Sequence, residues 1–312
     1  MTLIDQVLSR PEFKAQPPLL VDIGASGGLP AVWKPLARYS ICLAFDPDSR
    51  EMGFSEKPSA FLRQIVVPKA LTEKKAPALD FYLTQSPYCS SLLKPRGDKL
   101  KDWAFAPLFE VVGKRRFKAA RLPDLLRSLK LGPVDWFKTD SQGTDLRLFR
   151  TLSPQDQARV LVAEFEPGIL DAYQGEDKLW RLMQHMEGLP FWASLMEVRG
   201  TQRVPAALAK KLGRLVTEAL PVAAGWAEIH YMNDFEGKKL DLRAHLLGWV
   251  FATLKQQHGF ALTLALQGQK RFQDPVFGVL ASSAEASIRR RFWLHLPQMV
   301  ALKLRNRLRA WA

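Results

Sequence analysis

The sequence predicts an α/β domain built on a mostly parallel sheet, closed by an antiparallel last strand pair and followed by a basic helical extension. Three observations predict it. Short apolar runs without inside/outside alternation recur, as in strands covered on both faces. Helix-compatible stretches separate those runs, the order of a doubly wound sheet. A glycine-rich turn follows the first run, where such sheets hold their ligands.

Leu19–Ile23 is the first run and ends at Gly24. Residues 31–39 read as the helix after it, and Ile41–Phe45 as the second strand. Residues 64–67 make a third strand and 78–83 a fourth, at an edge. Residues 134–138 and 159–165 are further buried strands. Residues 175–187 read as a helix, and 191–198 with 227–232 close the sheet as an antiparallel pair. Between those two strands, 205–220 reads as a helix with Pro205 in its first turn. From Asp241 onward the pattern is helical, with Leu242, Leu246, Leu247, Val250 and Leu254 on one face. Residues 287–311 continue it, and Pro297 is expected to kink or break that helix. Two regions follow: a domain over 1–234 and an extension over 235–312.

Bulk properties narrow the class. Cys42 and Cys89 are too few for a disulfide framework, which points to a reducing compartment, the cytoplasm. Residues 1–10, with Asp5 among them, lack the basic start and apolar run of a signal peptide. The longest near-apolar stretch, 246–254, is far short of the roughly 20 residues that span a bilayer. The net charge of +14 is uneven. After Glu285 no acid occurs, while Arg289, Arg290, Arg291, Lys303, Arg305, Arg307 and Arg309 supply seven positive charges. An anionic neighbour is implied, whether membrane, nucleic acid or polymer.

The first chemical cluster is Val21-Asp22-Ile23-Gly24-Ala25-Ser26-Gly27-Gly28. Glycines there let the backbone turn tightly and approach a ligand. Dinucleotide and methyl-donor sites share this feature, but the spacing fails the G-x-G-x-x-G pattern of the former. Asp22 is placed to neutralise the ammonium of a methionine moiety, where a pyrophosphate would be repelled. Gly24, Ala25, Ser26 and Gly28 are the candidate floor of the site. A glycine turn with no ligand is the bland alternative. Asp46 ends the second strand, 22 residues beyond Gly24, where an acid can accept hydrogen bonds from ribose hydroxyls. Asp46-Pro47-Asp48 also has the form of a D-x-D metal motif, though its place after an apolar strand favours ribose, with Pro47 beside it. Ala70 and Leu71 stand where an adenine contact is expected.

The second cluster runs from Val134 to Gly143, a buried strand carrying Lys138 and delivering Asp140 to its carboxyl end. In-line displacement at carbon needs an aligned acceptor and help in removing its proton. Asp140 fits the base or orienting role, and Lys138 could orient Asp140 or stabilise a forming alkoxide. A structural Lys–Asp pair is the alternative. A third cluster, Glu164-Phe165-Glu166-Pro167, ends the next strand on the same rim. Acids at i and i+2 share a face in an extended chain, so both could look into the cleft. Equally, one of them could cap the next helix.

The stretch from Val21 to about Met232 resembles the FkbM family of S-adenosylmethionine (SAM)-dependent methyltransferases. Cys89-Ser90-Ser91-Leu92-Leu93-Lys94-Pro95 looks like that family's central segment. Asp135-Trp136-Phe137-Lys138-Thr139-Asp140-Ser141-Gln142-Gly143-Thr144-Asp145 is similar to its signature, with Asp145 in place of the usual Glu, and Tyr173-Gln174-Gly175 also has the family look. Asp46 replaces a more usual Glu. The resemblance implies a Rossmann-like class I methyltransferase fold and O-methylation of a hydroxyl on a carbohydrate or small metabolite, with SAM as cofactor and no metal firmly implied. Ser90 and Ser91 then shape a loop over the acceptor, since no Ser-His-Asp arrangement or G-x-S-x-G surrounds them.

Two other functions compete. The charge favours an RNA ribose or base methyltransferase. No Asn/Asp-Pro-Pro-Tyr/Phe motif and no obvious RNA-binding module accompanies it, which weakens this reading and leaves ribose methylation open. A non-catalytic SAM-binding scaffold is the other. In the tail, Ile288, Phe292, Leu296, Met299, Val300, Leu304, Leu308 and Trp311 follow helical spacing between arginines. That suits an interfacial helix on an anionic membrane through residues 286–312, or a helix packed on the protein with a solvated basic face. The five histidines have no metal-ligand spacing.

Overall fold

The computed structural model describes residues 2–25, 30–45, 47, 59–236 and 240–310, with side chains as far as 297. Ten strands are described: β1 (Leu19–Ile23), β2 (Ile41–Phe45), β3 (Arg63–Val67), β4 (Ala70–Leu71), β5 (Ala78–Thr84), β6 (Val111–Ala120), β7 (Trp136–Thr139), β8 (Val162–Phe165), β9 (Phe191–Gln202) and β10 (Val222–Asn233). Seven form one sheet in the order β3-β2-β1-β7-β8-β10-β9. All neighbours from β3 to β8 are parallel, and β10 runs antiparallel to both β8 and β9. The fold is therefore α/β with a mostly parallel, Rossmann-like sheet. The order reverses between β1 and β7, which makes their carboxyl ends the natural ligand crevice.

Residues 11–237 make one compact unit around this sheet. Val21, Ile23, Leu43, Phe45, Phe137, Ala163, Phe165 and Ile229 share a core with Leu122, Leu146, Phe149, Leu182 and Met186. Helices Leu122–Ser128, Asp145–Phe149 and Leu179–Glu187 thus cover one sheet face. On the other face Trp33 packs edge-on against Trp136 at 5.9 Å. A polar row crosses that face in register: Asp22 beside Lys138, Lys138 beside Glu164, Glu164 beside His230.

Several expectations need correcting. Residues 31–39 are two 3₁₀ turns, Ala31–Trp33 and Ala37–Tyr39, because Pro35 between them cannot continue a helix. Residues 78–84 leave the main sheet. They pair with β6, which also carries β4, in a second sheet ordered β4-β6-β5. The segment 205–220 is two helices, Ala206–Leu212 and Arg214–Glu218, parted at Gly213, whose φ of +82° is left-handed.

Residues 1–10 and 238–312 form a second compact unit. Its helices are Leu3–Leu8, Leu242–Leu254, His258–Phe272 and Val276–Ala310. Helix Leu242–Leu254 is not buried along a single stripe: all of Arg243 through Ala252 is buried, as for a helix at the centre of a bundle. Gly268 lets the next helix close on Phe277, since a Cβ there would stand 2.2 Å from its ring. Arg10 and Asp274 form an ion pair at 2.6 Å. Helix Val276–Ala310 continues through Pro297. The carbonyl that Pro297 cannot bond, that of Trp293, lies on an exposed stretch where water can satisfy it. Among the described residues, no helix is long and apolar enough to cross a membrane.

Candidate active site

The carboxyl ends of β1 and β7 meet across Gly24 and Asp140. The Asp140 N–H donates to the Ile23 carbonyl at 2.8 Å, and the Gly24 and Ala25 N–H groups donate to the Phe45 carbonyl at 2.9 and 3.1 Å. Gly24 has a φ of +80°, and a Cβ on it would stand 2.1 Å from the Asp140 carbonyl oxygen. Glycine is required there for both reasons.

Two cavities open beside this junction. The first, about 60 Å³, is lined by Gly24, Pro47, Ala70, Leu71, Ser90 and Asp140, with Phe45 and Phe81 among its apolar walls. The second, about 490 Å³, is lined by Asp140, Gln142, Glu166, Tyr173 and Trp226 among others. Asp140, Gln142 and Tyr88 line both, so the two spaces share a wall.

That wall is heavily braced. Gln142 has a φ of +54° and Gly143 one of +100°, so the chain turns sharply after Asp140. The Tyr173 hydroxyl is 2.9 Å from Gln142 Oε1, to which it donates, and Gln142 Nε2 donates to Asp140 Oδ1. The buried Ser91 hydroxyl donates to the Gln142 carbonyl at 2.7 Å. Asp145, fully enclosed at the start of its helix, accepts from Thr139 Oγ1, from the Ser141 N–H and hydroxyl, and from the Glu166 N–H. One carboxylate thus ties the Asp140 turn to the Glu166 loop. Arg147 pairs with Asp177 at 3.0 Å and clamps the next loop.

Electrostatics at the wall are shaped by burial. Desolvation pushes the Asp140 carboxyl up to about 6, against the pull of Lys138, with Asp145 adding to the rise. Glu166 is pushed up to about 9, by burial first and then by Asp140, Asp145 and Glu228. A carboxylate poised near neutrality at the junction of two cavities is suited to accept a proton.

Five sequence expectations land elsewhere. Asp22 lines neither cavity. It alternates with Val21 and Ile23, so it points to the opposite sheet face, where Lys138 Nζ donates to it at 2.7 Å. Lys138 is therefore engaged with Asp22 instead of orienting Asp140 or facing an alkoxide. Burial alone would lower its pKa, but Asp22, with Asp140 and Glu164 adding to it, more than reverses that and holds it charged. Glu164 belongs to the same polar row, 3.8 Å from His230, and lines neither cavity, whereas Glu166, beyond the strand end, lines the larger one. Ser91 is a brace, while Ser90 lines the smaller cavity and accepts from the Thr84 N–H at 3.1 Å. Ala25 is buried behind the turn. Ser26, Gly28 and Asp46 lie outside the described residues.

Comparison with protein-family models, curated proteins and solved structures finds no match to this chain. The site's geometry stands alone. Within the sequence motifs, Gln142 and Tyr173 are the residues that brace Asp140; beyond the motifs, Trp226 and Phe105 are cavity walls. A bulge between Ala224 and Trp226 interrupts the register there, re-aiming the chain at the cavity rim. No local sequence pattern marks residues 105 and 226, which the fold brings together with ring centroids 6.3 Å apart.

Proposed function

We infer that this chain is a SAM-dependent methyltransferase that methylates a hydroxyl of a small-molecule or glycan acceptor. The observation that carries the reading is the shared wall: one titratable carboxylate, Asp140, borders both the cavity at the Gly24 turn and the larger one beside it. The antiparallel β10, inserted beside β8 in an otherwise parallel sheet, agrees with the antiparallel closing pair expected of a class I methyltransferase.

In this reading the smaller cavity takes the donor. Ala70, Leu71 and Phe81 give apolar contact to an adenine, and the Gly24 turn lets the backbone come close to the ligand. SAM supplies an electrophilic methyl group whose sulfur keeps the bonding electron pair when the methyl leaves. The acceptor hydroxyl sits in the larger cavity, and Asp140 takes its proton as the new C–O bond forms. Gln142 and Tyr173 hold the Asp140 carboxylate in line. Asp22 and Lys138 serve the sheet and touch neither ligand space; they act on Asp140 only through their charges.

The test is direct. Purified protein with methyl-labelled SAM and a cell extract should label a small molecule or glycan. Calorimetry should find SAM and its demethylated product binding in the micromolar range. No saturable binding of either would end the reading. RNA methylation is disfavoured by the larger cavity, among whose lining residues no Lys or Arg occurs to meet phosphates.

The tail reading is a peripheral association with an anionic, cytoplasmic membrane face. Its support is exposure: Phe292 is 46% exposed, Trp293 69% and Leu294 68%, next to Arg289, Arg290 and Arg291. The first half of this helix packs on its own unit through Phe277, Leu280 and Ala284, whereas these three side chains do not.

A further inference from the structure

The larger cavity is charged against the sense of the chain. The sequence carries +14, yet the residues lining this cavity include three carboxyls, Asp140, Glu166 and Glu176, and no Lys, Arg or His. Glu176 is answered from outside the cavity by Lys178 at 2.9 Å. Glu166 is not: its N–H is bonded to Asp145, and its carboxyl makes no hydrogen bond or ion pair with the described residues. Around these acids stand aromatic rings. Phe105 lies 5.2 Å from Phe109 and 6.3 Å from Trp226, and Phe109 lies 5.6 Å from Tyr173, centroid to centroid.

We propose that the acceptor bears a protonated amine, held by Glu166 and the aromatic wall while its hydroxyl is presented to Asp140. The inference rests on reading the larger cavity as the acceptor site. An anionic ligand would meet these carboxyls with no cation among the lining residues to receive it, at a cost that low dielectric magnifies. A neutral ring would stack on the walls and leave the Glu166 carboxyl without a charged partner. An ammonium uses both features, since aromatic faces and carboxylates each attract cations. The long-range field of the chain would repel such a ligand, so this local reversal of sign is a property of the cavity alone.

The protonation of Glu166 agrees. In the empty cavity burial, Asp140, Asp145 and Glu228 raise it to about 9, with Lys138 opposing, so at neutral pH it carries a proton. An arriving ammonium displaces that proton to solvent and leaves a carboxylate–ammonium pair.

Three probes with one ring and three charges test this: benzylammonium, benzyl alcohol and benzoate, each titrated calorimetrically into the full chain at pH 7.5. Benzylammonium should bind at least tenfold more tightly than benzyl alcohol, with benzoate weakest and proton release accompanying the amine only. Glu166→Gln should bring the amine within about threefold of the alcohol. Trp226→Ala should weaken all probes that bind. Equal affinity for amine and alcohol, tightest binding of benzoate, or an amine preference untouched by both variants would overturn the proposal. The wild-type series decides even if a variant fails to fold. No probe requires the donor, so loss of SAM binding with the amine preference intact would sink methyl transfer and spare this inference.

Discussion

The Asp140 carbonyl oxygen occupies the place a side chain on Gly24 would need, 2.1 Å from an ideal Cβ. The two strand ends that frame the junction can approach only because residue 24 has no Cβ. Gly24→Ala would meet this clash and also an unfavourable φ of +80°. The expected loss is at least about 2 kcal/mol, or no folded protein at all. Urea unfolding of the variant against the parent chain measures it, and an unchanged midpoint would show that the turn is not as tight as described.

Asp140 makes a prediction about pH. Its folded pKa is raised to about 6 from an ordinary 3.8, so the folded chain binds this proton more tightly than the unfolded chain. Stability from this group is therefore full below the ordinary value and is lost as pH rises through about 6. Asp140→Asn removes that deficit and should stabilise the protein at pH 7 by on the order of 1–2 kcal/mol, with no gain at pH 3.5. The same variant should cut methyl transfer by about 10²–10⁴-fold and leave SAM affinity within a few-fold. In the parent chain, transfer should rise with pH to a plateau above about 6. A flat profile from pH 5 to 8 would remove Asp140 from the base role.

The buried pair Asp22–Lys138 predicts a different pattern. Lys138→Met leaves the enclosed Asp22 carboxylate without its 2.7 Å partner, which should cost about 3 kcal/mol. Replacing both, Asp22→Leu with Lys138→Met, should recover more than half of the loss. Donor affinity of whatever folds should stay within about threefold of the parent, because neither residue borders the cavities. A tenfold weakening by either single variant, in protein shown to be folded, would return the pair to the site.

How much of this was legible in the sequence depends on the span of each signal. The buried strands were readable because each is a continuous apolar run. The Asp140–Asp145 turn was readable because its members sit within six residues. β6 was not, since Lys114, Arg115 and Arg116 disguise it as a loop and its partner β5 looks like part of the main sheet. Asp22 and Glu164 were assigned to the cleft by position along the strand. Which face a side chain takes depends on the register with neighbouring strands, and that register places them in one polar row with Lys138 and His230. The aromatic wall was invisible for a simpler reason: Phe105 and Trp226 are joined by topology alone.

The donor cavity can be tested by filling it. Leu92 lines it and is half-buried, so a larger side chain there can be tolerated by the fold while occupying ligand space. Leu92→Trp should raise the SAM dissociation constant at least tenfold, about 1.4 kcal/mol, with little change in the unfolding midpoint. Unaltered SAM affinity would mean that the donor lies elsewhere or does not bind.

The tail makes the last prediction. Arg289, Arg290 and Arg291 lie next to the exposed Phe292, Trp293 and Leu294 on helix Val276–Ala310. Each basic residue near an anionic surface contributes about 1 kcal/mol, and buried apolar side chains add to that. Vesicles containing phosphatidylserine should therefore sediment the full chain at low salt, with binding falling steeply as salt rises. Neutral phosphatidylcholine vesicles should not sediment it. Replacing Phe292, Trp293 and Leu294 together by Ser should abolish the insertion part, seen as loss of the blue shift in tryptophan emission on vesicle addition. Truncation after residue 285 should abolish sedimentation altogether. Equal recovery with both vesicle types, or sedimentation that survives the truncation, would show that this helix is not a membrane contact.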